Sequence, residues 1–485
     1  MSSPTLSSRI FGCWLGKSIG GTLGLPAEGR MDRLHFSFYD PVPTIAPPND
    51  DLELQLVWLH LLETLKDDTL TQQHFADAWL NHLHYMWDEY GRCRWNLRRG
   101  VPVAAVGTFE NHFVSGMGSP IRSEIWACLF PGDPASAAYY AALDASLDHG
   151  VEGIAGEVLF SALQSLVAAG SSVADAITAA LARIPAGCET ARALHLVADA
   201  HRAGVSVWDA REQLLAQHGN DNFTHTPLNV GLTIWALLYG EGDFEKSILL
   251  AVNGGYDTDC TAATVGATIG FALGAEAIPD RWRQPIGEGV FVGAGILGIN
   301  AAASLGELTD RTVALIGKLK TKTWADLDWA PEIPSVDLGK LPGTITLRPL
   351  DGSAPVPFAN GELPAAVKKA GGAEWGWTPA HPGKAHFIVA LARSGANLFI
   401  DGQPVVNCPA GEPYVPATHR PAAASRTVFK PATGPHRVRI ELGSHDATQE
   451  ATVLLAYANL HIAPWTSAEI PHPATLPDSA AAPAA

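Results

Sequence analysis

Asn253-Gly254-Gly255-Tyr256-Asp257-Thr258-Asp259-Cys260 leads directly into Thr261-Ala262-Ala263-Thr264-Val265-Gly266-Ala267-Thr268-Ile269-Gly270-Phe271-Ala272-Leu273-Gly274. A glycine-rich turn delivers two carboxylates one residue apart, and an apolar segment of small side chains follows. Gly266, Gly270 and Gly274 recur at four-residue steps. On a helix that spacing forms one stripe, along which a second helix can approach backbone to backbone. The apolar run is shorter than the ~20 residues of a membrane span. It predicts a core helix with Asp257 and Asp259 at its N-terminus.

About 200 residues upstream the same arrangement recurs. Asn49-Asp50-Asp51 follows Pro47-Pro48 and precedes Leu52, Leu56, Leu59, Leu62 and Leu65. Those leucines repeat at three- and four-residue steps, so they predict a buried helix with Asn49 as its N-cap. Helical periodicity continues in Ala162–Ala169, Ala174–Arg183, Ala191–Ala203, Val230–Tyr239 and Phe244–Val252. Gly289–Leu305, rich in Gly and Ala, is read as a further closely packed helix. Strand-like alternation is scarce before residue 340. Residues 1–330 are therefore expected to form an all-α domain.

The texture changes at Trp324, Trp329, Pro331 and Pro334, so 331–342 reads as a linker. Short apolar runs bounded by turn residues follow: Thr344–Leu347, His386–Ala392, Leu398–Ile400, Pro404–Val406, Arg437–Leu442 and Ala451–His461. Asp401-Gly402 between two such runs signals a tight hairpin. An all-β sandwich of the jelly-roll type is expected over 343–467, with a Pro/Ala-rich flexible tail at 468–485. Trp375 and Trp377 fit either sugar stacking or a plugged sandwich core.

At 485 residues the chain is long enough for two to four domains of ~100–200 residues each. Its 32 basic and 49 acidic side chains give a net charge of −17. Such a field repels a nucleic-acid polymer, and no Lys/Arg run overrides it. The cysteines at 13, 93, 128, 188, 260 and 408 form no C-x-x-C pair. They read as reduced thiols of a cytoplasmic protein. Lys17 interrupts the apolar N-terminal stretch and no basic segment precedes it, so neither a signal peptide nor a membrane anchor is expected.

Acidic residues at a helix N-terminus are favoured by the dipole at ~0.3–1 kcal/mol each, and capping alone explains either cluster taken singly. Together they say more, since a cap does not require two acids. If the fold brings them together, each like-charged pair at ~4 Å costs about 4 kcal/mol at an effective dielectric near 20. Such a cluster must protonate or hold cations, and oxygen ligands select Mg²⁺, Mn²⁺ or Ca²⁺ over zinc.

The sequence resembles the ADP-ribosylglycohydrolase family. Arg9-Ile10-Phe11-Gly12-Cys13-Trp14-Leu15-Gly16 through Gly20-Gly21-Thr22-Leu23-Gly24-Leu25-Pro26-Ala27-Glu28-Gly29 is similar to the family's opening helix and loop. Asn49-Asp50-Asp51 stands where the family has Thr-Asp-Asp, and Asp257-Thr258-Asp259-Cys260 matches Asp-Thr-Asp-Thr. Ala277–Trp282 resembles the segment that follows, and the likeness runs from about residue 8 to 310. It implies a cleft holding two Mg²⁺ or Mn²⁺ ions, with Asn49, Asp50, Asp51, Asp257, Asp259 and Cys260 at the ligand positions. Three departures stand out: Asn49 offers an amide oxygen for a hydroxyl, Cys260 a thiol for a hydroxyl, and Gly21 replaces an Asp. One metal position is expected to be weakened or lost.

The same resemblance assigns Glu28 to the metal-site water or the ribose. It makes Gly116-Met117-Gly118-Ser119-Pro120-Ile121-Arg122 a substrate loop, with Gly116, Gly118, Ser119 and Arg122 contacting substrate. Arg122 and Glu124 fit either a substrate-facing arrangement or a structural ion pair. His149, His225 and Tyr256 complete the candidate substrate contacts. No Gly-x-Ser-x-Gly elbow supports a serine triad.

These residues predict a hydrolase that opens an anomeric bond of a ribosyl, ADP-ribosyl or related furanoside with a metal-activated water. Asp257, counted among both the ligands and the catalytic residues, would help hold the ions, and Glu28 or Glu124 would carry the proton. Two alternatives stay open: an ADP-ribosyl-protein hydrolase acting on an Arg or Ser linkage, and a non-catalytic sugar or nucleotide binder with a degraded metal site. The expected partner is a small glycoside or ADP-ribosylated molecule, and a homo-oligomer through either domain is compatible with the sequence.

Overall fold

Asn49 caps its helix as its position demands. Its Oδ1 accepts the Asp51 N–H at 2.8 Å, and the helix runs Asp50–Thr64 with Leu54, Leu56, Val57, Trp58, Leu59 and Leu62 buried. A computed structural model describes residues 3–85, 87–359, 361–417, 423–458 and 468–469. The chain divides into two compact units. One is Met1–Leu83 with Phe113–Glu332, and the other is His84–His112 with Ile333–Ala485.

The first unit is helical. Its centre is the pair Leu6–Gly24 and Thr258–Leu273, two helices packed so closely that their backbones touch. A Cβ on Gly16 would lie 2.0 Å from the Gly266 carbonyl oxygen, and one on Gly270 2.0 Å from that of Gly12. Gly20 and Gly24 face Ala262 and Thr258 equally closely. The stripe read from Gly266 and Gly270 therefore has a glycine counterpart on the N-terminal helix. Gly274 instead ends its helix in a left-handed conformation, φ +75°. This contact fixes Glu28, just past one helix, beside Asp257 and Asp259 at the start of the other.

The expected helices are present at Val151–Ala168, Val173–Leu181, Glu189–Arg202, Thr226–Gly240 and Phe244–Asn253. Val151–Ala168 is long and apolar enough to cross a membrane, but 78% of it is buried within the protein. The Gly289–Leu305 reading is corrected. Residues 289–304 are irregular and the helix begins only at Leu305. Gly289, Gly293, Gly295 and Gly298 within 16 residues make helix costly, at ~1 kcal/mol per glycine. The segment is held instead by bridges from Gly289 to Ser304 and from Ile296 to Leu83.

The second unit is β-rich. Six antiparallel strands run in the order Val356–Phe358, Ile345–Pro349, Gly372–Trp377, His436–Leu442, Ala396–Ile400, Gln403–Cys408. Four more run Ala468–Glu469, Ala451–Ala458, His386–Ala392, Arg426–Phe429. Leu347, Leu398 and Ile440 of the first sheet share one core with Ile388, Leu391 and Val453 of the second, the two-layer packing of a sandwich. Trp375 and Trp377 lie in that core, 5% and 4% exposed, so they plug it rather than offer a sugar platform. Asp401 and Gly402 both have positive φ and join Ile400 to Gln403 in the expected hairpin.

Residues 84–112, read from sequence as part of the helical region, belong to this unit. Arg99 of the helix Asp88–Arg98 region donates to the Pro342 carbonyl at 2.8 Å and to Thr344 Oγ1 at 2.9 Å. The strand reading beyond Ala458 to His461 and nearly all of the 468–485 tail lie outside the described residues.

Candidate metal centre

Asp257 and Asp259 reach the site through a strained turn. Gly255 and Tyr256 both adopt left-handed backbone, φ +75° and +68°. Gly255 has no alternative residue, because a Cβ would fall 2.4 Å from the Asp32 carbonyl oxygen. Tyr256 bears a strain of about 1–3 kcal/mol and is held on both sides. Its N–H donates to the Arg30 carbonyl at 2.6 Å, and its carbonyl accepts the Gly29 N–H at 2.9 Å. Those bonds tie the Glu28 loop to the Asp257 turn. Tyr256 thus acts through its backbone in placing Asp257, and its side chain is 8% exposed. From the other side, Asn229 Oδ1 accepts the Asp257 N–H at 3.2 Å.

Two sets of donor atoms result, each within 4.8 Å of one another: Glu28, Asp257 and Asp259, and Asp51, Asp259 and Cys260. Asp259 is common to both. The distant Asn49–Asp51 and Asp257–Cys260 stretches do converge. Asp51, Asp257 and Asp259 are at most 3% exposed, while Glu28 is exposed at the edge. Asp50 is half-buried and stands outside both sets.

Capping does not explain these acids. Asp257 is the N-cap residue of its helix, yet its side chain makes no capping bond. Both of its oxygens, with Asp51 Oδ2 and Asp259 Oδ1, are buried and accept no conventional hydrogen bond among the described residues. Burial raises the Asp257 carboxyl well above its ordinary range, and Asp259 and Glu28 add to the shift, which a weak hydrogen bond from the Cys260 thiol only partly opposes. Buried carboxylate oxygens without conventional donors, crowded by like charge, fit a hard divalent cation. Glu28, Asp257 and Asp259 would hold it, with Asp51 belonging to the second, adjoining set.

Two expected ligands fare less well. Asn49 turns its NH₂ toward the acids, donating to Asp259 Oδ2 at 3.1 Å, because its oxygen is committed to the Asp51 cap. The expectation that its amide oxygen replaces the hydroxyl is corrected. Burial, then Asp257 and Asp259, raises the Cys260 thiol well above its ordinary value, so the thiolate that metals prefer is disfavoured.

Glu124 and Arg122 do not pair with each other. Glu124, fully buried, accepts from Gln55 Nε2 at 2.8 Å and Gln164 Nε2 at 3.2 Å, and lies 3.1 Å from Lys17 Nζ. Lys17 Nζ is also 3.5 Å from Asp51 Oδ1. Burial alone would depress this ammonium, but Glu124 and Asp51 outweigh it and hold it above its ordinary value. Arg122 forms a bidentate pair with Asp148 at 2.9 and 2.7 Å. It also donates to Asp144 at 3.1 Å and to the Gly118 carbonyl at 2.9 Å. With 0% exposure it is a structural ion pair, and the substrate-contact reading is corrected.

The remaining candidates surround that network. His149, 1% exposed, has Nδ1 2.8 Å from Asp148 Oδ1. The Gly116 carbonyl is bound by Thr226 Oγ1, and the Ser115 carbonyl accepts the Thr226 N–H at 2.8 Å, which pins the loop. Ser119 is fully buried. His225 is the N-cap residue of Thr226–Gly240; burial lowers its imidazole, partly opposed by Glu189 and Glu152 and reinforced by His218. None of these joins the metal-ligand sets. Sequence reading passed over Lys17, Gln55, Gln164 and Asn229 as functional residues, although a lysine inside an apolar helix was itself a signal.

A family profile described as ADP-ribosylglycohydrolase matches residues 2–319. A solved structure titled "ADP-ribosylglycohydrolase-related protein complex" aligns with 64% of this chain and 98% of its own, at 20% identity and a TM-score of 0.44. No curated protein matches.

Proposed function

This chain belongs to the ADP-ribosylglycohydrolase family, which makes it a glycosyl hydrolase, and from that premise we propose that it cleaves the anomeric bond of a ribosyl, ADP-ribosyl or related furanoside with bound Mg²⁺ or Mn²⁺. The observation that supports this reading is the meeting of Asp51, Asp257 and Asp259, which leaves both Asp257 oxygens, Asp51 Oδ2 and Asp259 Oδ1 buried and without a conventional donor among the described residues. A divalent ion there would lower the pKa of a bound water and grip vicinal sugar hydroxyls.

The protein's own groups divide the remaining work. Glu28 is exposed, within 4.8 Å of the Asp257 and Asp259 donor atoms; one of its carboxylate oxygens would go to the ion and the other is left to take the proton from the attacking water. Glu124 cannot share that role, since it is sealed from solvent with its oxygens engaged by Gln55, Gln164 and Lys17. It orients Lys17 instead. The Gly255–Tyr256 turn keeps Asp257 aimed inward, so the alignment of water and diol is set before substrate arrives.

Hydrolysis of ADP-ribosyl-arginine, ADP-ribosyl-serine, nucleosides and aryl furanosides, each with EDTA and with Mg²⁺ or Mn²⁺, tests the proposal. Turnover of at least one substrate that EDTA removes and metal restores is expected. Saturable binding without turnover under every metal would favour the sugar or nucleotide binder, and EDTA-resistant turnover would remove the metal from the mechanism.

A further inference from the structure

Resting on the metal-centre reading above, we propose that this chain holds one divalent ion tightly, at Glu28, Asp257 and Asp259, and that the Lys17 ammonium takes the place of a second. The two ligand sets share Asp259 but differ in chemistry. The first offers three carboxylates. Asp257 in it is 1% exposed, with both oxygens buried. No N–H or O–H among the described residues reaches this buried carboxyl, which has only the weakly donating Cys260 thiol beside it and faces a cation position.

The second set, Asp51, Asp259 and Cys260, is already served by donors. Lys17 Nζ stands 3.5 Å from Asp51 Oδ1. Asn49 Nδ2 donates to Asp259 Oδ2 at 3.1 Å. Cys260 brings sulfur, a poor ligand for a hard ion. Asp259 is shared with the first position, so little anionic charge is left for another dication. Lys17 cannot swing aside: it is 1% exposed, in the middle of the tightly packed helix Leu6–Gly24, and anchored 3.1 Å from Glu124.

Gly21 supports the same conclusion. It lies one helical turn beyond Lys17 and, with Lys17, Asn49 and Asp51, lines a small cavity. A Cβ at Gly21 would have Asn49 Nδ2 as its nearest neighbour, at 3.6 Å. A side chain could start there without a clash, and the chain supplies none. The resulting centre is asymmetric, with a replaceable ion on the Glu28 side and a fixed organic cation on the Asp51 side.

Mn²⁺ titration of the full chain, with free Mn²⁺ counted by its EPR signal, measures the stoichiometry without reference to turnover. One tight equivalent per chain is expected, with any second at least ~100-fold weaker. The paired variant Lys17→Met/Glu124→Gln removes both charges of the buried pair together, and the oxygen of the new amide can still accept from Gln55 Nε2. It should tighten the second equivalent by ~tenfold or more. Two equivalent ions in the wild type, with metal-dependent hydrolysis retained, would overturn the single-ion proposal and leave the hydrolase reading intact. So would an unchanged second affinity in the paired variant. No tight Mn²⁺ together with no metal-stimulated hydrolysis would bring down the metal-centre reading itself. If the paired variant does not fold, the wild-type stoichiometry decides.

Discussion

Asp257→Asn should stabilise the metal-free protein while abolishing its response to metal. The Asp257 and Asp259 donor atoms lie within 4.8 Å of one another, and a pair of full charges at that distance repels by about 3.5 kcal/mol at an effective dielectric of 20. Burial already biases Asp257 toward its protonated form, which forgoes part of that repulsion at neutral pH. A net gain of about 1–3 kcal/mol remains. The amide adds N–H donors beside Asp259 Oδ1, which accepts no hydrogen bond among the described residues, so the substitution supplies a partner as it removes a charge. At about 2 °C per kcal/mol for a unit of this size, metal-free Tm should rise by about 2–6 °C. Thermal melts with EDTA and with saturating Mn²⁺ read both effects. Wild type should gain about 2.7 kcal/mol at a hundredfold excess over Kd, and the variant should gain almost nothing. A metal-free Tm that falls by several degrees, with the Mn²⁺ response preserved, would show that Asp257 serves the helix terminus rather than a cation and would refute the reasoning.

Three further perturbations test the scaffold. Gly16→Ala places a methyl 2.0 Å from the Gly266 carbonyl oxygen and should prevent soluble folding, whereas Gly21→Ala, with 3.6 Å of clearance, should shift Tm by under ~2 °C; equal behaviour in expression and melting trials would contradict the backbone contact. Arg122→Lys forfeits the bidentate bond to Asp148 and should cost about 3–5 kcal/mol in urea unfolding, a loss below ~1 kcal/mol being incompatible with the buried network. Glu157→Gln addresses pH. Burial raises both Glu157 and Asp144, the latter to about 6, and raised acids stabilise the fold at low pH and lose that contribution as pH climbs through the folded-state value. The amide still accepts from Trp126 Nε1, now 3.0 Å from Glu157 Oε1, so the variant should match wild type at pH 5 and exceed it by ~1–2 kcal/mol at pH 8; a constant difference across that range would sink the assignment.

Periodicity exposed the helices and the two acid clusters because each is a local pattern. The hairpin at Asp401-Gly402 was legible for the same reason, since two left-handed residues are a local demand. Gly289–Leu305 misled because apolar composition was read without weighing four glycines, whose backbone entropy favours irregular chain. Residues 84–112 carry a helix of ordinary appearance, and no pattern within them tells which unit they join; Arg99 bonding Pro342 and Thr344 is a fact of tertiary structure. Arg122 and Glu124 were paired by sequence proximity, yet both are fully buried and each is satisfied by groups more than 20 positions away or on other elements.

Lys17 marks where the sequence posed a question that only coordinates could answer. It sits in a helix whose residues Gly12 to Gly16 and Ile19 to Gly24 are all buried, and Lys17 itself is 1% exposed, so its ammonium is held out of water. An ammonium there must meet an acid, since an unpaired buried charge costs several kcal/mol. The requirement for a partner was legible in the pattern, but its identity was not. Candidates in the N-terminal third alone included Glu28, Asp50, Asp51 and Glu53, and the strongest partner proved to be Glu124, brought from another helix by packing. The same contact places a fixed positive charge against Asp51. An acid cluster that looks symmetric in sequence, two carboxylates at each of two helix starts, is therefore unequal in space, and the inequality decides how much added charge each half can accept.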